Sequence, residues 1–343
     1  MKTLPFLRRL ALFLVIPIAA LLAILFRADG STDEYYLRFT TPPATSLVLG
    51  TSRAAQGIQP HVLDSVLAEA GIHVQTMNYA FSMGLSQYGP TYLNSVRKKL
   101  APSARNGVFV LAVDPWSLSA TRVRGRIEFE ESANFLAKMD LVNMHPNIEY
   151  LLTVYPKPLL GILVPDPRAN DKRLLLHEDG WLEVSVPMDP ASVAHRRTEK
   201  LAEYRNERLP NAVPSNARIG ALLMTIDLLK PHGRVLLVRL PVSDAMLEME
   251  NELMPHFNRL IDLIARHEQV DQLDLSANGD AWTYTDLHHL YTADGARVTA
   301  MIARKLGESP PAVRGVVGHD RYPMLLGTER SHPAFTVLER GSR

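Results

Sequence analysis

The sequence contains no cysteine. That absence excludes disulfides, a thiolate nucleophile, cysteine-ligated zinc and a lipidated-cysteine anchor in one step. Charge of one sign is also missing, since 37 Lys and Arg stand against 36 Asp and Glu, for a formal net charge of +1. No long basic block occurs, so the basic stripe of a nucleic-acid binder is lacking and no nucleic-acid partner is expected. No glycine-rich phosphate loop follows any strand-like run, which sets aside a nucleotide-binding module. Internal repeats and low-complexity tracts are missing too. What remains is 343 residues, 46% apolar and 21% charged. That is ample for a core, excludes a wholly disordered chain, and fits two domains or one large α/β domain with insertions.

Long hydrophobic runs are scarce, with one exception. Leu10 to Phe26 carries no charge and follows Lys2, Arg8 and Arg9. As a helix it measures about 26 Å, short for a bilayer core but workable with its flanks. Asp29, Asp33 and Glu34 follow it. The positive-inside rule then makes residues 1–9 a cytoplasmic stub, residues 10–26 a transmembrane anchor, and the remainder periplasmic or extracellular. A cleaved signal peptide is the competing reading; the run is long for one, and no clear Ala-x-Ala site closes it. The expectation is single-pass anchoring in the inner (plasma) membrane. Residues 27–44 read as a linker, Ser31 to Pro43 being polar and ending in Pro42-Pro43.

Strand and helix patterns then alternate, which predicts right-handed crossovers and a parallel, doubly wound sheet. Ser46 to Gly50, His73 to Tyr79, Gly107 to Val113, Arg234 to Leu240 and Gln272 to Leu275 read as strands. His61 to Ala70, Gln87 to Leu100, Ala217 to Leu229, Ala245 to His267 and Ala293 to Leu306 read as helices. Residues 116–215 lose the rhythm and are too long for a structureless loop, so they read as an inserted cap or subdomain near the carboxyl edge of the sheet. The domain thus runs over 45–306, and residues 307–343, with Pro310, Pro311, Pro323 and Pro333, form a C-terminal extension.

Ligands in open α/β sheets bind where the strands end. After the first strand comes Gly50-Thr51-Ser52-Arg53, where a glycine permits a tight turn and a serine at a helix start exposes its hydroxyl near the positive helix terminus. The alternative is that Ser52 only caps the helix. After the last strand comes Asp286-Leu287-His288-His289-Leu290. An aspartate and a histidine three apart on a turn can face each other, the carboxylate holding one ring nitrogen and aiming the other at a hydroxyl. The spacing favours His289 over His288; a loop carboxylate and a partly buried histidine are the plainer readings. Both motifs fall on the same edge of the expected sheet. His145, His177 and His195 have no ligand spacing, so neither metal nor cofactor is expected. Trp116, Trp181 and Trp282 could line a sugar cleft, but core packing suits at least two of them better.

The order Gly50-x-Ser52, Asn78 with Gly84, then Asp286-x-x-His289-Leu290 ahead of Gly295-Ala296, resembles the SGNH (GDSL-type) hydrolases. It is most similar to their membrane-anchored extracytoplasmic branch, associated with acylation of envelope polysaccharides. The resemblance covers about half the chain and implies a flavodoxin-like three-layer α/β/α fold. It further implies a serine esterase or O-acyltransferase acting on acyl esters of cell-envelope glycans, with a membrane acyltransferase as a partner. Ser52 would be the nucleophile, His289 its base and Asp286 the orienting carboxylate. The N–H groups of Ser52 and Gly84 would form the oxyanion hole, and Asn78 would brace that loop. Arg53 could meet an anionic donor or polymer, a solvated helix-start arginine being the plainer reading. Two departures stand out. Thr51 replaces the motif's aspartate, and the third strand ends in Val113-Asp114-Pro115 where catalytic members carry an oxyanion asparagine. An ionised Asp114 there would oppose the transition state, and losing one oxyanion donor costs about 3 kcal/mol. The alternatives are that Asp114 turns away onto the Ser117 region, or that the chain is a catalytically inactive glycan-binding or scaffold component.

Overall fold

In the computed structural model, residues 3–123, 126–128, 131, 133–164 and 173–308 are described. The C-terminal extension expected over 307–343 lies outside the described residues from position 309 onward. Helix α1 (Thr3–Arg27) is 25 residues long, uncharged from Leu10 to Phe26 and almost entirely exposed. It is long and apolar enough to cross a membrane, a character it shares with signal sequences.

Apolar runs build the centre. Strands β1 (Ser46–Leu49), β2 (Thr76–Asn78) and β3 (Gly107–Ala112) are buried throughout, as expected for a sheet covered on both faces. Between them run helices α2 (Ser52–Gly57), α3 (Pro60–Glu69), the single turn α4 (Met83–Ser86) and α5 (Pro90–Lys99). After β3 the expected rhythm break appears. It holds strands β4 (Ser119–Val123) and β5 (Arg126–Glu128), helices α6 (Ile148–Thr153) and α7 (Leu160–Leu163), the hairpin β6 (Arg173–Leu176) and β7 (Leu182–Ser185), helix α8 (Pro190–Glu203) and strand β8 (Ala212–Pro214). Alternation resumes with α9 (Asn216–Leu229), β9 (Gly233–Arg239), α10 (Asp244–Leu253), α11 (Phe257–Glu268), β10 (Asp271–Asp274) and α12 (Thr292–Glu308).

The central sheet is five-stranded and wholly parallel, in the order β10-β9-β3-β1-β2. Chain direction across the sheet reverses between β1 and β3, the switch point at which doubly wound α/β proteins open a crevice. Ser52, just past β1, therefore sits beside that crevice. Gly50 makes this turn possible: its φ is +142°, and a Cβ there would stand 2.8 Å from the Ala112 Cβ.

Three expectations need correcting. The helix expected over Ala245 to His267 is two helices, because Pro255 lacks an N–H and breaks the ladder. The linker is part of the body: Tyr36, Arg38 and Phe39 are fully buried in it. Arg38 donates to the carbonyls of Glu34, Asn78 (3.0 Å) and Gly180 (2.7 Å), and burial lowers its guanidinium to about 10. Lys99 Nζ likewise donates to the Thr41 carbonyl and hydroxyl and to Val142, with burial pulling its ammonium down to about 7. Finally, the inserted hairpin does not stand apart as a cap. Leu176, Leu182 and Val184 join the main core, and Trp181 Nε1 donates to the Gln56 carbonyl of α2. Gly180, at φ +80°, allows this approach, since a Cβ there would meet the Asn78 carbonyl oxygen. Trp116 and Trp181 are buried, as their packing role required, and Trp282 is half-buried against the core.

Candidate active site

Thr51 is the residue flanking α2, so Ser52 is the first helical residue and not the cap. Its backbone N–H consequently has no intrahelical acceptor, and its side chain is half-buried. The helix that carries it is held from below by Asn78, which is fully buried at the end of β2. Asn78 Nδ2 donates to the carbonyls of Ala54 and Ile58, each at 2.9 Å, and its Oδ1 accepts from Ala80 N–H. On the other side, the Gly295 position lets α12 lie close to α2, and Thr299 Oγ1 accepts from Gln59 N–H.

Far along the chain, the turn after β10 closes through the Thr285 N–H donating to the His289 carbonyl. Asp286 Oδ1 accepts from the N–H groups of His288 (2.9 Å) and His289 (3.0 Å), an Asx turn that fixes its carboxylate. Arg196 of α8 and Ser243 hold the same loop through the carbonyls of Thr285 and Leu287. The other carboxylate oxygen lies 2.8 Å from His289 Nδ1, and His289 Nε2 lies 2.9 Å from Ser52 Oγ. Burial alone would raise the Asp286 carboxyl, but the His289 ring and the backbone N–H bonds hold it well below the usual carboxylate range. With Asp286 ionised, the proton belongs on Nδ1, which leaves Nε2 free to accept from Ser52. Serine, imidazole and carboxylate thus form one hydrogen-bonded series. Residues 237 positions apart close it.

His288 takes a different place. It is buried, its ring lies edge-on to Tyr204 at 5.2 Å, and its Nδ1 has no hydrogen-bond partner among the described residues. Burial holds its imidazole well below the ordinary value and therefore neutral. Asp286, His288 and His289 also bring ligand-type atoms within 4.8 Å of one another, a spacing a cation could use. The bonds from His289 to Asp286 and Ser52 compete for those same atoms.

Gly84 is the second residue of α4, not a loop glycine of positive φ, and its N–H is likewise without an intrahelical acceptor. Ser86 of the same turn donates to the Gly50 carbonyl at 2.7 Å, tying α4 to the β1 turn. Beside Gly84 opens a cavity of about 350 Å³, also lined by Gln87, Thr121, Glu131, Asn134 and Arg218.

Arg53 corrects the expectation of a solvated arginine. It is buried, and its guanidinium donates to Glu250 at 2.5 Å, while Glu250 also pairs with Arg239 at 2.9 Å. Burial pulls Arg53 down, but Glu250 and Asp114 outweigh it and hold it above its ordinary value. Asp114 is turned onto Ser117, whose N–H donates to Oδ1 at 2.8 Å, and its Oδ2 faces Arg53 at 3.9 Å. Burial raises its carboxyl despite Arg53. Arg38, Glu250 and Arg239 are the supports sequence reasoning missed. Arg38 sat among the aromatics of Tyr35-Tyr36-Leu37-Arg38-Phe39, a hint of burial, whereas nothing local marked Glu250 as a partner 197 positions from Arg53.

No protein-family model matches this chain, and no curated protein matches it either.

Proposed function

We propose that this chain is a membrane-anchored, SGNH-like serine esterase or O-acyltransferase acting on acyl esters of cell-envelope glycans. The observation that carries the reading is the unbroken series Ser52–His289–Asp286, at 2.9 and 2.8 Å. The parallel strand order, which is that of flavodoxin-like three-layer folds, supports it. So does the site's position, with Ser52 just past β1 and Asp286 and His289 in the long loop after β10. The burial of Leu25 and Ala28, where α1 meets the body, favours a retained anchor over a cleaved leader.

In this reaction Ser52 Oγ attacks the acyl carbonyl carbon while its proton passes to His289 Nε2. Charge collects on the carbonyl oxygen, and the N–H groups of Ser52 and Gly84 receive it. The ester C–O bond then breaks, the imidazolium gives its proton to the departing alcohol, and the acyl group stays on Ser52. Water or a sugar hydroxyl reverses the sequence, which makes the chain a hydrolase or a transferase. Asp286 holds the imidazole and stabilises its cation throughout.

A scaffold role rests on Asp114 standing where an oxyanion asparagine is usual. With that carboxylate spent on Ser117 and Arg53, the departure removes a donor without aiming a negative charge at the oxyanion. A fluorophosphonate probe separates the two readings. The enzyme labels at Ser52, loses labelling in Ser52→Ala and His289→Ala, and keeps it in His288→Ala. Absence of labelling near neutral pH favours the scaffold, and equal loss in both histidine variants removes His289 from its role.

A further inference from the structure

Exposed apolar side chains are concentrated outside α1 in one stretch of the insertion. Leu141, Met144, Ile148, Leu152, Leu160 and Val164 are each at least 40% exposed, Val164 reaching 67%. Isolated exposed apolar residues are ordinary, but a contiguous set marks a contact surface. The first part of the set is held together, the turn at Leu141 against the start of α6. Glu149 accepts from the N–H groups of Asp140 and Leu141, and Asn147 Nδ2 donates to the Leu141 carbonyl. On α6, Ile148 and Leu152 are four apart and so share one face, while Tyr150 and Leu151 are buried on the other.

The occupant follows from continuity. Helix α7, which presents Leu160, lies directly against α1, whose exposed apolar surface is long enough to lie in lipid. No free tether separates α1 from the body. Leu25 and Ala28 are buried at the junction, the Gly30 carbonyl accepts from Leu176 N–H at 2.9 Å, and Arg38 is locked into the fold. A helix fixed in this way drags its neighbours to the bilayer surface. Arg27 in the last turn of α1 and Lys157 within the 141–164 stretch are both exposed and suit the headgroup layer.

We infer that the 141–164 face is a second membrane-contact surface, which dips its apolar side chains into the leaflet beside α1 and holds the domain in one orientation on the bilayer. This rests on α1 being a membrane anchor. Because the chain has no cysteine, single cysteines can carry an environment-sensitive fluorophore at Leu152→Cys, Leu160→Cys and Val164→Cys. Ile16→Cys on α1 and Arg266→Cys on α11, beside the opposite edge strand β10, serve as references. The full chain is reconstituted in phosphatidylethanolamine–phosphatidylglycerol vesicles, with and without acyl-chain bromination. The expected result is loss of emission in brominated vesicles at 152, 160, 164 and 16, with emission at 266 unchanged. Loss at 16 alone overturns the second surface and leaves the anchor standing. No loss at 16 overturns the anchor and this inference together. Equal loss at 266 reduces the contact to unspecific adsorption and overturns it as well.

Discussion

Two carboxylates at the site have opposite environments and so opposite consequences. Asp286 is held ionised by His289 and its N–H bonds. Replacing it with asparagine keeps the shape but offers the wrong tautomer, so Asp286→Asn is expected to slow acylation of Ser52 by roughly 10⁴-fold. A carboxyl whose folded pKa lies below its unfolded one stabilises the fold above about pH 4 and loses that contribution as pH falls further. The stability gap between wild type and Asp286→Asn, followed by denaturant unfolding, should therefore narrow on acidification from about pH 4. A pH-independent gap would mean that the carboxylate is not held ionised. Asp114 is raised by burial and occupied with Ser117 and Arg53. Asp114→Asn should then change the Ser52 labelling rate by far less than the roughly hundredfold that a restored oxyanion donor would supply. A hundredfold gain would place Asp114 over the oxyanion instead.

At the scale of elements, α2 depends on its supports more than on its own six residues. Asn78 clasps the Ala54 carbonyl within it and the Ile58 carbonyl just past its end, and Arg38 clasps Asn78 and the hairpin turn at Gly180. Arg38→Met leaves buried carbonyls without a donor and is expected to cost about 3 kcal/mol of stability in denaturant unfolding. Arg38→Lys should fail to restore it, because one ammonium cannot reproduce the guanidinium fork. Full stability in Arg38→Met would show that the segment before β1 is only a tether. The sheet strands were legible because buried parallel strands are nearly continuous apolar runs, as in Gly107 to Ala112. The segment before β1 was not. Its polar residues mask Tyr36 and Phe39, whose burial depends on partners such as Tyr150 and Phe81 far along the chain. Pro255 was visible and should have split the long helix. Ser52, Asp286 and His289 were legible as two short motifs at strand ends. The Arg53–Glu250–Arg239 pairing was not, since charge pairing across elements leaves no local periodicity.

Across the whole molecule, the site exists only because the fold returns the 280s to the edge where β1 ends. The parallel sheet sets the height of both loops, α12 presses α2 from one side, and the hairpin of the insertion closes it from another. The proposed reaction requires that assembly to let Ser52 become acylated. The most direct measurement is intact-mass spectrometry of the full chain quenched during turnover of an activated acetyl ester, followed by peptide mapping. One acetyl group per chain, carried on Ser52 and absent from Ser52→Ala, is the expected result. An unmodified Ser52 under conditions where the ester is consumed, or an acetyl group carried elsewhere, would contradict the account.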